Sequence, residues 1–474
     1  GLAAGTLLAL IEMPLVSLID RLLMQTQLLP TLAKLYQSYP LADWYPGLSK
    51  RCFAAILRSG VNPVTLTPMR YSAASAQQLA GEEAGFKGRV HSLDAFRGTV
   101  MTLMLAEVMH LSSMGRAFPE SAFWKWVSFH TSHVPWQGCS LHDLIQPGFS
   151  FLVGAALPFS IASRKARGQS FGRMLAHAAW RALVLIFLGI FLRSLGKPQT
   201  NFTFEDTLTQ IGLGYLFLFL LGFASARVQV AALAAILVGY WAAFALYPAP
   251  GPSFDYPSVG VPQGWEHLYT GFQSHWNKNS NLAWAFDVWF LNLFPREKPF
   301  LFNGGGYATL SFIPTLGTML LGLLAGEWLR TNRTEAAKLR GLLIAGAACV
   351  AAGLLWQASG LCPIVKRIWT PAFTLYSGGL VLLMLSGFYA LIEWKGRKSW
   401  TFPLMVVGAN SITAYIMSWT MESFFLQALD RHLGTAFFGV FGPEYERLLK
   451  GFAVLLIFWS ILLWMYRRKI FLRI

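Results

Sequence analysis

From about residue 92 onward the chain returns repeatedly to mostly apolar runs of about 18 to 25 residues, each long enough to cross roughly 30 Å of hydrocarbon. Inside lipid every backbone N–H and C=O must find its partner within the protein, so runs of this length predict helices. Ten spans are expected, at 93–113, 144–162, 175–195, 208–225, 228–247, 309–329, 340–357, 370–393, 402–425 and 449–466. The fold class is therefore all-α, a polytopic transmembrane bundle of about 10–11 helices. Composition agrees: 55% of the 474 residues are hydrophobic and only 13% charged, which excludes an ordinary soluble protein.

The net charge of +16 would suggest nucleic acid if the domain were soluble. Here the cations cluster in short loops. Arg164, Lys165, Arg167 and Arg173 follow the second span, and Arg330, Arg333, Lys338 and Arg340 the sixth. Lys395, Arg397 and Lys398 follow the eighth, and Arg467, Arg468 and Lys469 the tenth. All four clusters fall on one side, which the positive-inside rule makes cytoplasmic. Both ends of the core are then cytoplasmic, the 114–143 and 247–308 loops face out, and no nucleic-acid partner is expected.

Residues 90–474 are read as the membrane domain, and residues 1–89 as a cytoplasmic-side or interfacial extension. Within that extension, 1–24 is apolar but interrupted by Glu12, Asp20 and Arg21, which suits an interfacial helix better than a span. Gly1 in place of an initiating Met implies a missing or processed start, so no signal peptide can be judged. Cys52, Cys139, Cys349 and Cys362 show no metal-ligand spacing, and neither a metal nor a disulfide framework is expected. No internal repeat is evident. A Walker phosphate loop, HExxH and a convincing GxSxG are also missing from the sequence, so an ATP-driven pump, a zincin or a lipase-type hydrolase finds no support.

The polar residues worth singling out are few. His133-Val-Pro-Trp136-Gln-Gly138-Cys-Ser140-Leu-His142-Asp143 sits at the mouth of the second span, where imidazole and carboxylate groups are costly beside lipid. His133 beside a carboxylate is a natural general base near neutral pH, whereas a lone loop histidine is usually just solvated. Spacing does not separate it from His130 and His142. Asp143 also fits a capping box with Ser140, which would account for it without chemistry.

Glu107 lies about 20 Å along the first span from Asp94, near the level of His133, and His110 one turn on is its expected partner. Asp94 and Arg97 form an i, i+3 pair at the opening turn of that span, or Arg97 meets a phosphate-bearing donor. Asn410, in Gly408-Ala-Asn410-Ser-Ile412, is expected near mid-membrane, bonding between helices or lining a polar channel. The long 247–308 loop carries Trp265, Trp276, Trp284 and Trp289, rings suited to the membrane interface or to stacking on sugars.

Taken together, Ser92-Leu-Asp-Ala-Phe-Arg-Gly98 and His133-x-x-Trp-x-Gly138-x-Ser-x-x-Asp143-Leu running on to Gly154 resemble the heparan-α-glucosaminide N-acetyltransferase family and its bacterial relatives. Leu208-Thr-Gln210-Ile, Cys362-Pro with Lys366 and Trp369-Thr370, and Gly408–Ile412 follow in the family's order. The resemblance covers about 90 to 474 and implies transfer of an acetyl group from cytosolic acetyl-CoA to a glucosamine amine across the membrane. It makes His133 the base or acyl carrier. Two positions depart from the family: Val108, next to Glu107, stands where an Asn is expected, and no Arg follows in the fourth-span motif.

The resulting expectation is an integral membrane acyltransferase, bacterial-type and of the inner membrane, with His133 facing out. Its partners would be acyl-CoA, an amino sugar or glycan, and the bilayer, with a homodimer conceivable. Catalysis is assigned to His133, Asp143 and Glu107, and substrate or oxyanion contacts to Trp136, Gly138 and Asn410. Acyl-CoA contacts are assigned to Asp94, Arg97, Lys366 and Trp369. The rival reading is a transporter of a sugar or lipid-linked substrate, against which the missing repeat counts mildly. A scaffold without catalysis is a third.

Overall fold

The computed structural model describes residues 90–472. The readings made for residues 1–89, Cys52 included, lie outside the described residues. The principal helices are α1 (His91–Leu105), α2 (Ala122–His130), α3 (Ile145–Ala166), α4 (Phe171–Ser194), α5 (Thr207–Leu221), α6 (Ala226–Leu246) and α7 (Leu282–Phe290). They continue with α8 (Phe312–Leu329), α9 (Glu335–Ala358), α10 (Pro371–Tyr389), α11 (Phe402–Ala409), α12 (Ser411–Thr420), α13 (Glu422–Leu433) and α14 (Pro443–Arg467). Among the described residues the sole β pairing is an isolated antiparallel bridge between Gln137 and Val365. The architecture is an all-α polytopic bundle.

Local chemistry starts the helices where the sequence turns apolar. Ser170, Asp206, Thr334 and Thr370 each accept a backbone N–H of the first turn they precede, and Pro371 supplies a preset φ at the start of α10. Among the described residues, seven helices are long and apolar enough to cross a membrane: α3, α4, α6, α8, α9, α10 and α14. The pair α11 and α12, bent by 65°, makes an eighth if its halves form one span.

Two of the ten expected spans, the first and the fourth, are thus shorter than expected, and a third, 402–425, is broken. Apolar residues continue past Leu105, but the chain tightens into a 3-10 turn over Ala106–Met109 and turns off at His110, whose φ of 49° is left-handed. That backbone geometry ends α1 after 15 residues. Helix α5 is also only 15 residues long, starting at the Asp206 cap and stopping before Gly222. The 402–425 run breaks at Asn410, whose φ of −126° and ψ of 45° leave the helical region. Broken backbone in a membrane must be satisfied by protein. Asn410 is fully buried, its amide donating to Ile470 O at 3.0 Å and its oxygen accepting Leu472 N–H at 3.1 Å.

The centre of the bundle is α3 against α8. A Cβ on Gly154 would lie 1.8 Å from Met319 O, and one on Gly322 would lie 1.9 Å from Phe151 O. The backbones meet there, which only small residues allow; without a hydrophobic drive between helices in lipid, such contact is a main source of cohesion. Outside it, α9 presents most of its surface outward: only 17% of its apolar window is buried, against 78% for α8. The α3–α8 pair thereby fixes the turn that precedes α3, and that turn carries the polar block.

Candidate functional site

Ser140 and Asp143 form the reciprocal pair the capping box predicts: Asp143 N–H donates to Ser140 Oγ at 3.3 Å, and Ser140 N–H donates to Asp143 Oδ2 at 3.0 Å. Val134 N–H adds a bond to the same oxygen at 3.2 Å. The second carboxylate oxygen points elsewhere. His133 Nδ1 lies 2.8 Å from Asp143 Oδ1, and Lys366 Nζ lies 3.3 Å from that oxygen and 3.1 Å from Nδ1. Capping and orientation of His133 are therefore done by one carboxylate, one oxygen for each.

Asp143 is 1% and Lys366 5% exposed, so the ion pair is buried, while the His133 ring is 37% exposed. With the shortest contact to the carboxylate, Nδ1–H donates to Asp143, and the ammonium of Lys366 donates to Asp143 as well. Nε2 then carries the lone pair, and it has no hydrogen-bond partner among the described residues. Burial pulls the His133 pKa below its ordinary 6.5, and the nearby Lys366 charge adds to that, with Asp143 opposing. Burial likewise lowers Lys366, again opposed by Asp143. His133 is thus a neutral imidazole at neutral pH, open on its Nε2 edge.

A chain reversal 233 residues away delivers Lys366. The 361–370 segment lies along the 133–140 loop: Gln137 bridges Val365, and Gly138 N–H donates to Ile364 O at 2.9 Å. Gly138 has φ of 112°, a conformation L side chains avoid, so glycine lets the loop double back there. Arg367 closes the seam, donating to Gly305 O at 2.8 Å and to Val134 O at 3.3 Å.

His133 lines a cavity of about 310 Å³. Its walls come from the end of α1, the start of α3, α4, the 195–206 loop, Tyr307, Lys366, α12 and α13. His133, Lys366, His142 and Glu107 form one pole. His142 lies beside His133 with ring centroids 4.3 Å apart, and its Nε2 is 3.7 Å from Glu107 Oε1. The other pole centres on Asp206, also 1% exposed, which accepts Leu208 N–H at 2.9 Å, Arg193 Nε–H at 3.3 Å and Tyr415 Oη–H at 2.9 Å. The Arg193 guanidinium also lies 4.9 Å over the Trp419 ring, and Glu205, Tyr307 and Glu422 complete the walls.

The structure brings together His133, Asp143, Lys366 and Glu107, and separates the other expected site residues from them. Glu107 pairs with His142, while His110 pairs with Glu422 at 3.4 Å; the helical spacing behind the expected Glu107–His110 pair fails because α1 has already ended. Trp136 is fully buried, its indole N–H donating to Trp276 O at 3.2 Å, so that donor is used and does not reach the cavity. The Gly138 N–H is spent on Ile364. Lys366 belongs to the histidine cluster, and Trp369 donates to Thr318 Oγ1 at 3.1 Å within the core.

Asp94 and Arg97 pair at 3.2 Å at the opposite end of α1, about 20 Å from Glu107. Ser92 N–H there donates to Glu393, next to the Lys395–Lys398 cluster. Asn410 joins that same end, because its partners directly follow Arg467–Lys469. The expected acyl-CoA contacts are thus divided between two ends of the bundle, and Asn410 is not at mid-span. Of the loop tryptophans, Trp276 is core, Trp265 packs edge-on against Trp136 at 5.9 Å, and Trp289 is exposed.

The sequence reading passed over Arg193, Asp206 and Tyr415. Arg193 had one legible signal. It sits at the end of α4 opposite Arg173 and the basic clusters, where the positive-inside rule gives no reason for a cation.

Fold and site together define a class: a multi-pass helical membrane protein with a buried ion pair and a neutral histidine at one polar cavity. No family model matches the chain. It is similar to human heparan-alpha-glucosaminide N-acetyltransferase, 24% identical over 383 residues that cover 71% of this chain and 54% of that protein. The mouse protein of the same name is 25% identical over 132 residues, 28% of this chain and 18% of its own length. The chain therefore spans about half the length of the human relative it matches. Both carry the name of the family that the motifs resemble, and they support that resemblance.

Proposed function

We propose that this protein is a membrane acetyltransferase that moves an acetyl or similar acyl group from acyl-CoA to the amine of an amino sugar or glycan. The observation that carries this reading is the Asp143–His133 pair, anchored by Lys366, with Nε2 free at the cavity. An amine must shed protons to become an amide, so a neutral base is required where it attacks the thioester. His133 Nε2 accepts that proton, and Asp143 holds the tautomer and stabilises the imidazolium that forms. The oxyanion needs donors that are already in place. Lys366 and Tyr307 line the cavity beside His133 and are offered in place of Trp136. The names of the human and mouse relatives favour this chemistry over transport.

The basic clusters at one end of the bundle favour that end as cytoplasmic, with the His133 end facing out of a bacterial inner membrane. Acyl-CoA would then approach from the basic end, where Asp94 and Arg97 lie. The test is direct. Purified full-length protein in detergent is incubated with radiolabelled acetyl-CoA and a panel of amino sugars, and CoA release and labelled product are followed. The expected result is stoichiometric acetylation of at least one amine. Uptake of sugars into proteoliposomes with no CoA release from any acceptor would contradict the proposal and favour a transporter.

A further inference from the structure

The cavity carries a second histidine–carboxylate pair that the proposed reaction has so far left unused, and the proton balance of that reaction calls for one. At neutral pH an amino sugar arrives largely as an ammonium, which has no lone pair. The overall change is R–NH3⁺ plus acetyl–S–CoA giving R–NH–acetyl plus CoA–SH plus H⁺. One C–N bond forms, one C–S bond breaks, and two protons leave nitrogen. One of them ends on the departing thiolate and the other in water. A single base that hands its proton to the thiolate does not account for the other.

We infer that His142 and Glu107 take the first proton, converting the bound ammonium into the nucleophilic amine, and that His133 takes the second as the C–N bond forms and delivers it to the thiolate. This rests on the acetyltransfer reading above. The geometry supplies both bases at one place. His142 Nε2 is 3.7 Å from Glu107 Oε1, the His142 ring centroid is 4.3 Å from that of His133, and all three residues line the same cavity. Glu107 is half exposed and lines the cavity, so its carboxyl group can meet an ammonium bound there. The charged groups around the pair are Lys366 and Asp143 on the His133 side and Glu422 from α13. Asp143 is engaged by Lys366 and His133, and Glu107 is the carboxylate that pairs with His142. Neither residue was distinguished this way by spacing alone: His142 was one of three equivalent loop histidines, and Glu107 was assigned to His110.

The experiment compares wild type with Glu107→Gln, and separately with His142→Asn, in full-length detergent-solubilised protein using glucosamine and radiolabelled acetyl-CoA. Below the acceptor's own amine pKa the variants should turn over about 100-fold more slowly, the usual worth of one acid–base group. Above it, where the amine arrives already neutral, the ratio of wild-type to variant rate should fall at least tenfold. The inflection should move upward when the acceptor is 6-amino-6-deoxyglucose, whose amine is more basic. Combining both substitutions should cost little more than either alone, since the two act as one unit. A ratio that stays constant with pH, or an inflection that ignores the acceptor, overturns the assignment and leaves the pair a structural role. Failure of the wild type to acetylate any amine overturns the acetyltransfer reading, and this inference with it.

Discussion

The two poles of the cavity are built from the same starting element and finish differently. Asp143 and Asp206 are each 1% exposed, each accepts backbone N–H, and each faces a cation. Around Asp143 the remaining partner is an imidazole with one edge free. Around Asp206 the partners are a guanidinium and a phenol. Arginine does not deprotonate in a protein, and an ordinary tyrosine titrates near 10, so neither partner of Asp206 offers a base at neutral pH. The Asp143 pole can change its charge state through His133. Burying a carboxylate with a cation gives a fixed corner of the cavity; adding a neutral imidazole to that corner supplies the base that the proposed reaction needs.

Several substitutions would break or sharpen this contrast. The largest effect, short of removing His133 itself, should come from Asp143→Asn. It leaves the Lys366 charge buried without its partner, a defect worth about 3–5 kcal/mol of stability, and it frees the His133 tautomer. Thermal unfolding in detergent should fall markedly, and acetyl transfer should drop by roughly 100-fold or more. Asp206→Asn should cost less, about 1–3 kcal/mol, because Arg193 is a third exposed and can draw on water. Equal losses at both positions would erase the distinction between the poles.

The pH dependence separates them further. Imidazolium is disfavoured at His133 by burial and by Lys366, so its pKa lies below 6.5 and the base stays unprotonated at neutral pH. Activity should therefore hold at neutrality and fall only as pH drops through that lowered value. Lys366→Met removes one of the charges that oppose protonation and leaves Asp143 to favour it. The acid limb of kcat/KM should then move to higher pH. A limb that stays put would show that Lys366 does not tune the ring. Asp206→Asn should leave this limb where it is. Tyr415→Phe should give the smallest change, loss of one hydrogen bond worth about 1 kcal/mol, read as a small drop in unfolding temperature with kcat altered less than about fivefold.

Much of this molecule was legible because lipid makes polar groups conspicuous. Apolar length located the helices, and the short run from His133 to Asp143 held its own capping box and its own histidine–carboxylate pair. What the sequence hid was long-range or geometrical. Lys366 reaches His133 across 233 residues, a contact no local pattern encodes. The Glu107 pairing was misread because an i, i+3 rule was applied past the last residue of α1. Asn410 was placed at mid-span because an apolar run was counted through a break that only backbone angles reveal. Trp136 and Gly138 carry motif positions, yet their N–H groups are spent on Trp276 and Ile364 in holding the loop. In this chain those motif positions hold the loop that carries His133.

The central claim is that His133 Nε2 accepts the amine's proton. The measurement that tests it most directly is acetyl transfer from radiolabelled acetyl-CoA to an accepted amino sugar by His133→Ala, with and without added imidazole, beside wild type. The account predicts a loss of about 10²–10⁴-fold, with an unfolding temperature lowered far less than by Asp143→Asn, and partial recovery when imidazole fills the vacated space. Wild-type turnover in His133→Ala would contradict it.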